Sequence, residues 1–246
     1  MRNVIYTIKR EITSHKDARH SVVQTYNDIN AWSRITLRQL KRYADKTNSD
    51  LIVIDYETEA ILPDWLDPFQ RIQWLKFDIV KHFIESNYEK MLYVDLDVYI
   101  RTNASNIFEE CDLSKFNIGL DGAPHHMPRI RKFVDTDICH NCGVICGDRN
   151  VLELFHKHVP DKNEWCDLLG DNMDVNEQVI ISSIIQKHNI PTNILEKKWN
   201  RPWAYQDDDS NFVHYYGAVG ALLLHWLSRK MDKFEAINLN TITLQF

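Results

Sequence analysis

The chain has 246 residues, 44% hydrophobic and 26% charged, which excludes a disordered or fibrous protein and allows a substantial core. Its net charge of −6, from 35 acidic and 29 basic residues without a basic block, argues against nucleic acid as a partner. Five cysteines, an odd number with no signal-peptide pattern at residues 1–10, point to reduced thiols and a cytoplasmic setting.

Val4-Ile5-Tyr6-Thr7-Ile8 is β-branched and aromatic and predicts a first strand. A helix over 25–44 follows, with Trp32, Ile35, Leu40 and Tyr43 at roughly helical spacing. Leu51-Ile52-Val53-Ile54 is an uninterrupted apolar strand, the kind covered on both faces, and Asp55 ends it. Beyond Pro63 and Pro68, Ile72, Leu75, Ile79 and Phe83 recur on one helical face, and the next strand covers 91–98. Strand, helix, strand, helix, strand predicts an α/β, Rossmann-like fold: a mainly parallel sheet flanked by helices, with ligands at the carboxyl ends of the strands. Further strands are expected at 116–120, 143–146, 193–195 and 212–216, and helices at 151–158, 175–187 and 221–230. No repeat or linker interrupts 1–246, which reads as a single domain. The longest apolar run, Ala218 to Leu224, is too short to span a bilayer and leaves only peripheral membrane contact open.

In a regular strand over 91–98 the side chains alternate, so Tyr93, Asp95, Asp97 and Tyr99 share one face. Two neighbouring carboxylates raise each other's energy unless a cation lies between them, and hard oxygens suit Mg²⁺ or Mn²⁺. The alternative is a solvated loop; the apolar strand leading in and the helix carrying Lys76 and Lys81 favour the metal. Asp207-Asp208-Asp209, beside Ser210 and Asn211, reads as a solvated loop. Cys139 and Cys142 form a C-x-x-C without a second pair at zinc-site spacing.

Gln73-Trp74-Leu75-Lys76-Phe77, then Tyr88-Glu89-Lys90-Met91-Leu92-Tyr93-Val94-Asp95-Leu96-Asp97, resembles the helix-plus-Asp-x-Asp segment of GT-A-fold glycosyltransferases, especially family 8 and glycogenin-like enzymes. Five later pieces resemble family segments in the same order, over roughly 70–220. They are Asp121-Gly122-Ala123-Pro124, His140-Asn141-Cys142-Gly143-Val144, Asn176-Glu177-Gln178-Val179-Ile180, Trp199-Asn200 and His214-Tyr215-Tyr216-Gly217. The resemblance implies transfer of a sugar from a nucleotide-sugar, a UDP-sugar above others, to a hydroxyl acceptor such as a glycan, with retention of configuration. It implies Asp95, Asp97 and His214 as ligands of Mn²⁺ or Mg²⁺. Donor contacts would come from Tyr6, Thr7, Lys76, Asp95, Asp121, Asn141, Gly143 and Gly217, and acceptor contacts from Trp199 and Asn200. Gln178 and Glu177 would stand near the anomeric carbon. The donor-binding half would cover about 1–125 and the acceptor side about 126–246.

Where the family continues His-x-x-Gly with Lys-Pro-Trp, this chain reads Ala218-Val219-Gly220-Ala221, which puts that lysine's diphosphate contact in question. On its own, His214 reads equally as a core histidine between Val213 and Tyr215. Asn141 and Gly143 read equally as a turn into a strand, and Trp199, Trp203 and Tyr205 as sugar platforms or as core. Two other classes stay open: a haloacid-dehalogenase-like phosphohydrolase using Asp95 and Asp97, with Gly170-Asp171-Asn172-Met173-Asp174 as a loose metal motif, and a non-catalytic sugar-binding protein. Those phosphohydrolases normally carry the pair on the first strand, whereas here about 90 residues precede it.

Overall fold

The computed structural model describes residues 2–9, 29–55, 68–121, 127–132, 135–161, 163–164, 177–215, 223 and 241–242. Strands β1 (Asn3–Lys9), β2 (Ser49–Asp55) and β3 (Lys90–Val94) alternate with helices α1 (Ile29–Lys46) and α2 (Pro68–Glu85). After β4 (Val98–Ile100) and α3 (Ile107–Glu110) come β5 (Phe116–Leu120), α4 (Met127–Ile130), β6 (His140–Asp148) and α5 (Arg149–His156). Helix α6 (Glu177–Lys187) precedes β7 (Thr192–Ile194), β8 (Arg201–Pro202), β9 (Phe212–His214) and β10 (Thr241–Ile242). The larger sheet has the order β10-β2-β1-β3-β6-β5-β7, and β4-β9-β8 form a second. In the larger sheet only β6 runs against its neighbours β3 and β5; the other pairs are parallel.

The two periodicities of the sequence explain how this sheet is covered. Val4, Tyr6 and Ile8 of β1 join one core with Trp74, Leu75, Phe77 and Phe83 of α2, while Ile5 joins a second with Leu37 and Leu40 of α1. Met91 and Tyr93 divide from Leu92 and Val94 in the same way. A strand buried on both faces has no polar side, which is why these runs are continuously apolar. Helices α1 and α6 are followed by Asn48 and Asn189 at φ 49° and 50°, the left-handed turn that asparagine tolerates after glycine best. Arg149, opening α5, donates to Ser86 O at 2.8 Å and also to Ile84 O and Tyr88 O, tying α5 to the end of α2.

The strand expected over 91–98 is corrected by the structure, because it ends at Val94. Asp95 N–H still reaches Gly143 O at 2.8 Å, but Val98 N–H then closes a turn on Asp95 O at 3.0 Å. The chain leaves one sheet and enters the other, where Val98 lies opposite His214. Leu96 and Val98 imitate a strand period while the backbone turns, and side-chain parity therefore fails beyond Val94. Elsewhere the bounds move: β6 extends the expected 143–146 in both directions, and β7 lies one residue earlier than expected. The helix expected over 221–230 lies outside the described residues apart from Leu223, as do 175–176 and 216.

His140 opens β6 at 1% exposure, with its backbone N–H and its Nδ1 each 3.0 Å from Ser182 Oγ. Burial lowers its pKa to about 4. The folded value lies below the unfolded one of about 6.5, so the neutral ring's contribution is complete above that pH and disappears as pH falls through 4. Urea midpoints should show roughly 3 kcal/mol of stability lost across this window in the parent, and a flatter acid limb in His140→Asn. Parallel limbs in the two proteins would remove His140 from the acid sensitivity.

Candidate metal and donor site

The turn between the sheets gathers three metal-ligand side chains. Asp95 leaves β3, Asp97 precedes β4 and His214 ends β9; one ligand atom from each lies within 4.8 Å of the others. Tyr215 N–H donates to Asp97 O at 2.9 Å, which pins Asp97 beside the strand that carries His214. His214 is 4% exposed, and its Nε2 stands 3.2 Å from Asp97 Oδ1. That oxygen is buried and makes no hydrogen bond among the described residues. Burial, the largest influence, would raise the Asp97 carboxyl, but His214 and Lys76 together hold it below the usual carboxylate range. Burial likewise opposes charge on His214, and Asp97 outweighs it and holds the imidazole above its ordinary value. The arrangement favours positive charge between the two.

Asp95 is held from behind. The Tyr93 hydroxyl donates to its Oδ1, and Lys76 Nζ lies 3.1 Å from Oδ1 and 3.3 Å from Oδ2. Burial and the Asp95 charge push the Tyr93 phenol well up, so it stays a donor. Lys76 is 7% exposed and also donates to Glu177 Oε1 at 2.9 Å and Cys142 O at 3.4 Å. Burial works against its charge, but Asp95 and Glu177 prevail and hold it well above the ordinary lysine value. Lys76 is thus an internal cation joining α2, the end of β3 and the start of α6. Next to it, Gln178 Oε1 accepts from Cys142 N–H at 3.4 Å while its amide donates to Asp121 Oδ2 at 3.2 Å.

Behind His214 runs a second chain of hydrogen bonds. Nδ1 lies 3.0 Å from Asn200 Oδ1, Asn200 Nδ2 donates to Asn141 Oδ1 at 2.7 Å, and Gly143 N–H donates to that same oxygen at 3.0 Å. Two glycines make room: a Cβ on Gly143 would stand 2.3 Å from His214 Cε1, and one on Gly119 2.5 Å from Asn200 Nδ2. The register of β5 and β6 shifts between Ile118 and Gly119, which sets Gly119 opposite Asn141.

Of the residues expected at the site, Asp95, Asp97, His214, Lys76, Glu177, Asn141, Gly143 and Asn200 meet in these two networks, and Gln178 and Asp121 adjoin them. Trp199 does not: it is 1% exposed and packs edge-on against Phe212 at 5.3 Å, so no face of its indole is open to an acceptor. Tyr6 and Thr7 are 0% exposed because β1 is central, and the Tyr6 hydroxyl is paired with His82 Nδ1 at 2.8 Å. Gly217, Asn176 and Gly122-Ala123-Pro124 lie outside the described residues. Asp207-Asp208-Asp209 is an exposed turn, closed by Ser210 Oγ on Asp207 Oδ1 at 2.6 Å. With Lys198 and Arg201 it lines a polar depression of about 700 Å³ that contains none of the three candidate ligands. Sequence reasoning missed the inward roles of Asn200 and Tyr93; the spacing of Tyr93 two residues before Asp95 is the signal that was present.

The fold these residues occupy is that of GT-A-like glycosyltransferases. A glycosyltransferase involved in the glycosylation of the major capsid of PBCV-1 matches at a TM-score of 0.56 and 16% identity, over 93% of this chain and 100% of that one. The galactosyltransferase LgtC, in complex with donor and acceptor sugar analogs, matches at 0.55 and 14%, over 92% and 95%. Mouse xyloside xylosyltransferase 1, in its apo form, matches at 0.54 and 13%, over 87% and 96%. No protein-family model and no curated protein sequence matches the chain. Among the described residues no helix is long and apolar enough to cross a membrane.

Proposed function

We propose that the chain is a metal-dependent glycosyltransferase that moves a sugar from a nucleotide-sugar, a UDP-sugar above others, to a hydroxyl acceptor such as a glycan. The observation that carries this reading is the convergence of Asp95, Asp97 and His214 where β3 hands over to β4, on a glycosyltransferase fold. The residues fit a hard divalent ion, since two carboxylates and one imidazole meet there and Asp97 Oδ1 is buried without a hydrogen bond. When bound, Mn²⁺ or Mg²⁺ supplies Lewis-acid stabilisation of the charge that develops on the departing nucleoside diphosphate.

The chain's own residues carry the rest of the reading. Lys76 pairs with Asp95 and Glu177 and holds both in place, so it serves the donor through its neighbours. Glu177 and Gln178 are assigned to the anomeric centre, where positive charge develops and an oxygen dipole or charge is favourable. Retention of configuration follows from the family resemblance. The half-buried and exposed side chains of Trp203 and Tyr205 replace Trp199 as aromatic surface on the acceptor side. Buried free cysteines at 139, 142 and 146 suit a cytoplasmic setting.

Thermal unfolding with UDP or GDP, with and without Mn²⁺, tests the reading. Stabilisation by nucleotide only with the ion present is expected. Metal-dependent hydrolysis of an aryl phosphate without a nucleotide response would replace it with the phosphohydrolase reading, and sugar binding without donor turnover with the non-catalytic one.

A further inference from the structure

The orientation of His214 is fixed by a backbone group two side chains away. Gly143 N–H can only donate, so the Asn141 atom facing it at 3.0 Å is the amide oxygen. The Asn200 atom that meets this oxygen at 2.7 Å must then be its NH₂ group, which turns Asn200 Oδ1 toward His214. An acceptor 3.0 Å from Nδ1 requires the ring proton on Nδ1. In the neutral ring Nε2 therefore carries a lone pair, and it faces the carboxylate oxygen Asp97 Oδ1 at 3.2 Å. Two acceptors at that distance repel unless a proton or a metal cation lies between them.

We infer that Asn200 is a positioning residue that holds His214 as its Nδ1–H tautomer and thereby presents Nε2, with Asp97, to the divalent ion. The inference rests on the metal reading above. It moves Asn200 from the acceptor side to the support of a ligand, the outer-shell role that commonly tunes histidine ligation. Gly119 and Gly143 belong to the same device, since side chains there would displace Asn200 and His214 respectively.

Mn²⁺ affinity, measured by titration in the absence of nucleotide, is compared for the parent, Asn200→Ala and Asn200→Asp. Asn200→Ala should bind roughly ten- to a hundredfold more weakly. Asn200→Asp keeps an acceptor opposite Nδ1–H but loses the donor to Asn141 Oδ1, so its affinity should fall between those of Asn200→Ala and the parent. Unfolding in chelator shows whether each variant is folded. A second readout is independent of the ion: long-range ¹H–¹⁵N spectra of the metal-free parent, at a pH where the imidazole is neutral, should show the Nδ1–H tautomer. They should show it in Asn200→Asp and lose it in Asn200→Ala. The Nε2–H tautomer in the metal-free parent overturns the inference, as does parent-like Mn²⁺ affinity in Asn200→Ala. If the parent itself binds no Mn²⁺, the metal reading falls and this inference with it.

Discussion

Asp97→Ala abolishes the Mn²⁺-dependent stabilisation of the chain by UDP while leaving the chelated protein folded. Asp97 lies in the turn between the two sheets, its side chain 30% exposed, and its backbone carbonyl, which the substitution keeps, makes the bond to Tyr215 N–H. Removing the carboxylate takes one of three converging ligands and the carboxylate paired with His214 Nε2. For a parent that binds the loaded nucleotide at a hundredfold excess over Kd, stabilisation is about 2.7 kcal/mol. In a domain of this size that shifts Tm by roughly 5–11 °C. The variant should show no shift, whereas Asp207→Ala, in the exposed acidic turn, should behave as the parent. Equal shifts for Asp97→Ala and the parent would sink the three-residue site.

How far the fold could be read from sequence depended on whether one period governed a whole element. Val4 to Ile8 and Leu51 to Ile54 are buried on both faces, and Leu75, Ile79 and Phe83 lie on one helical face, so each announced its element. The segment 91–98 combined a strand and a turn into another sheet, and alternation of Leu96 and Val98 concealed the break. Of the second sheet only β9 was expected as a strand of its own, within 212–216; the start of β4 was merged into the strand over 91–98, and β8 has two residues, too few to show a period. At the site, charge chemistry was readable where it was local, as in Asp95 and Asp97. The family resemblance supplied His214, but no local pattern distinguishes an asparagine that orients a ligand from one that meets a substrate. Trp199 misled because aromatic residues near loops serve cores as often as sugars, and only packing against Phe212 decides between them.

Lys76→Met should be the most destabilising single change at the site, by roughly 3–5 kcal/mol. The ammonium is 7% exposed and serves two carboxylates, Asp95 at 25% and Glu177 at 10% side-chain exposure. A buried ion pair as a whole adds little net stability, because desolvation offsets attraction, but removing one partner leaves the other charged and uncompensated. Here the loss strands two like charges at once. The expected fall in Tm is roughly 6–20 °C, read in chelator so that no ion substitutes for the ammonium. Two further measurements separate this cause from poor packing. Lys76→Met/Glu177→Leu removes one stranded carboxylate and should recover much of the loss, which a cavity or clash would not allow. Mn²⁺ should also raise the Tm of Lys76→Met more than that of the parent, because in the variant the ion offsets the charge of Asp95 that the ammonium no longer balances. If the double variant is no more stable than the single, the Lys76 cation is not what holds Glu177 and Asp95 together, and the start of α6 must be anchored by packing alone.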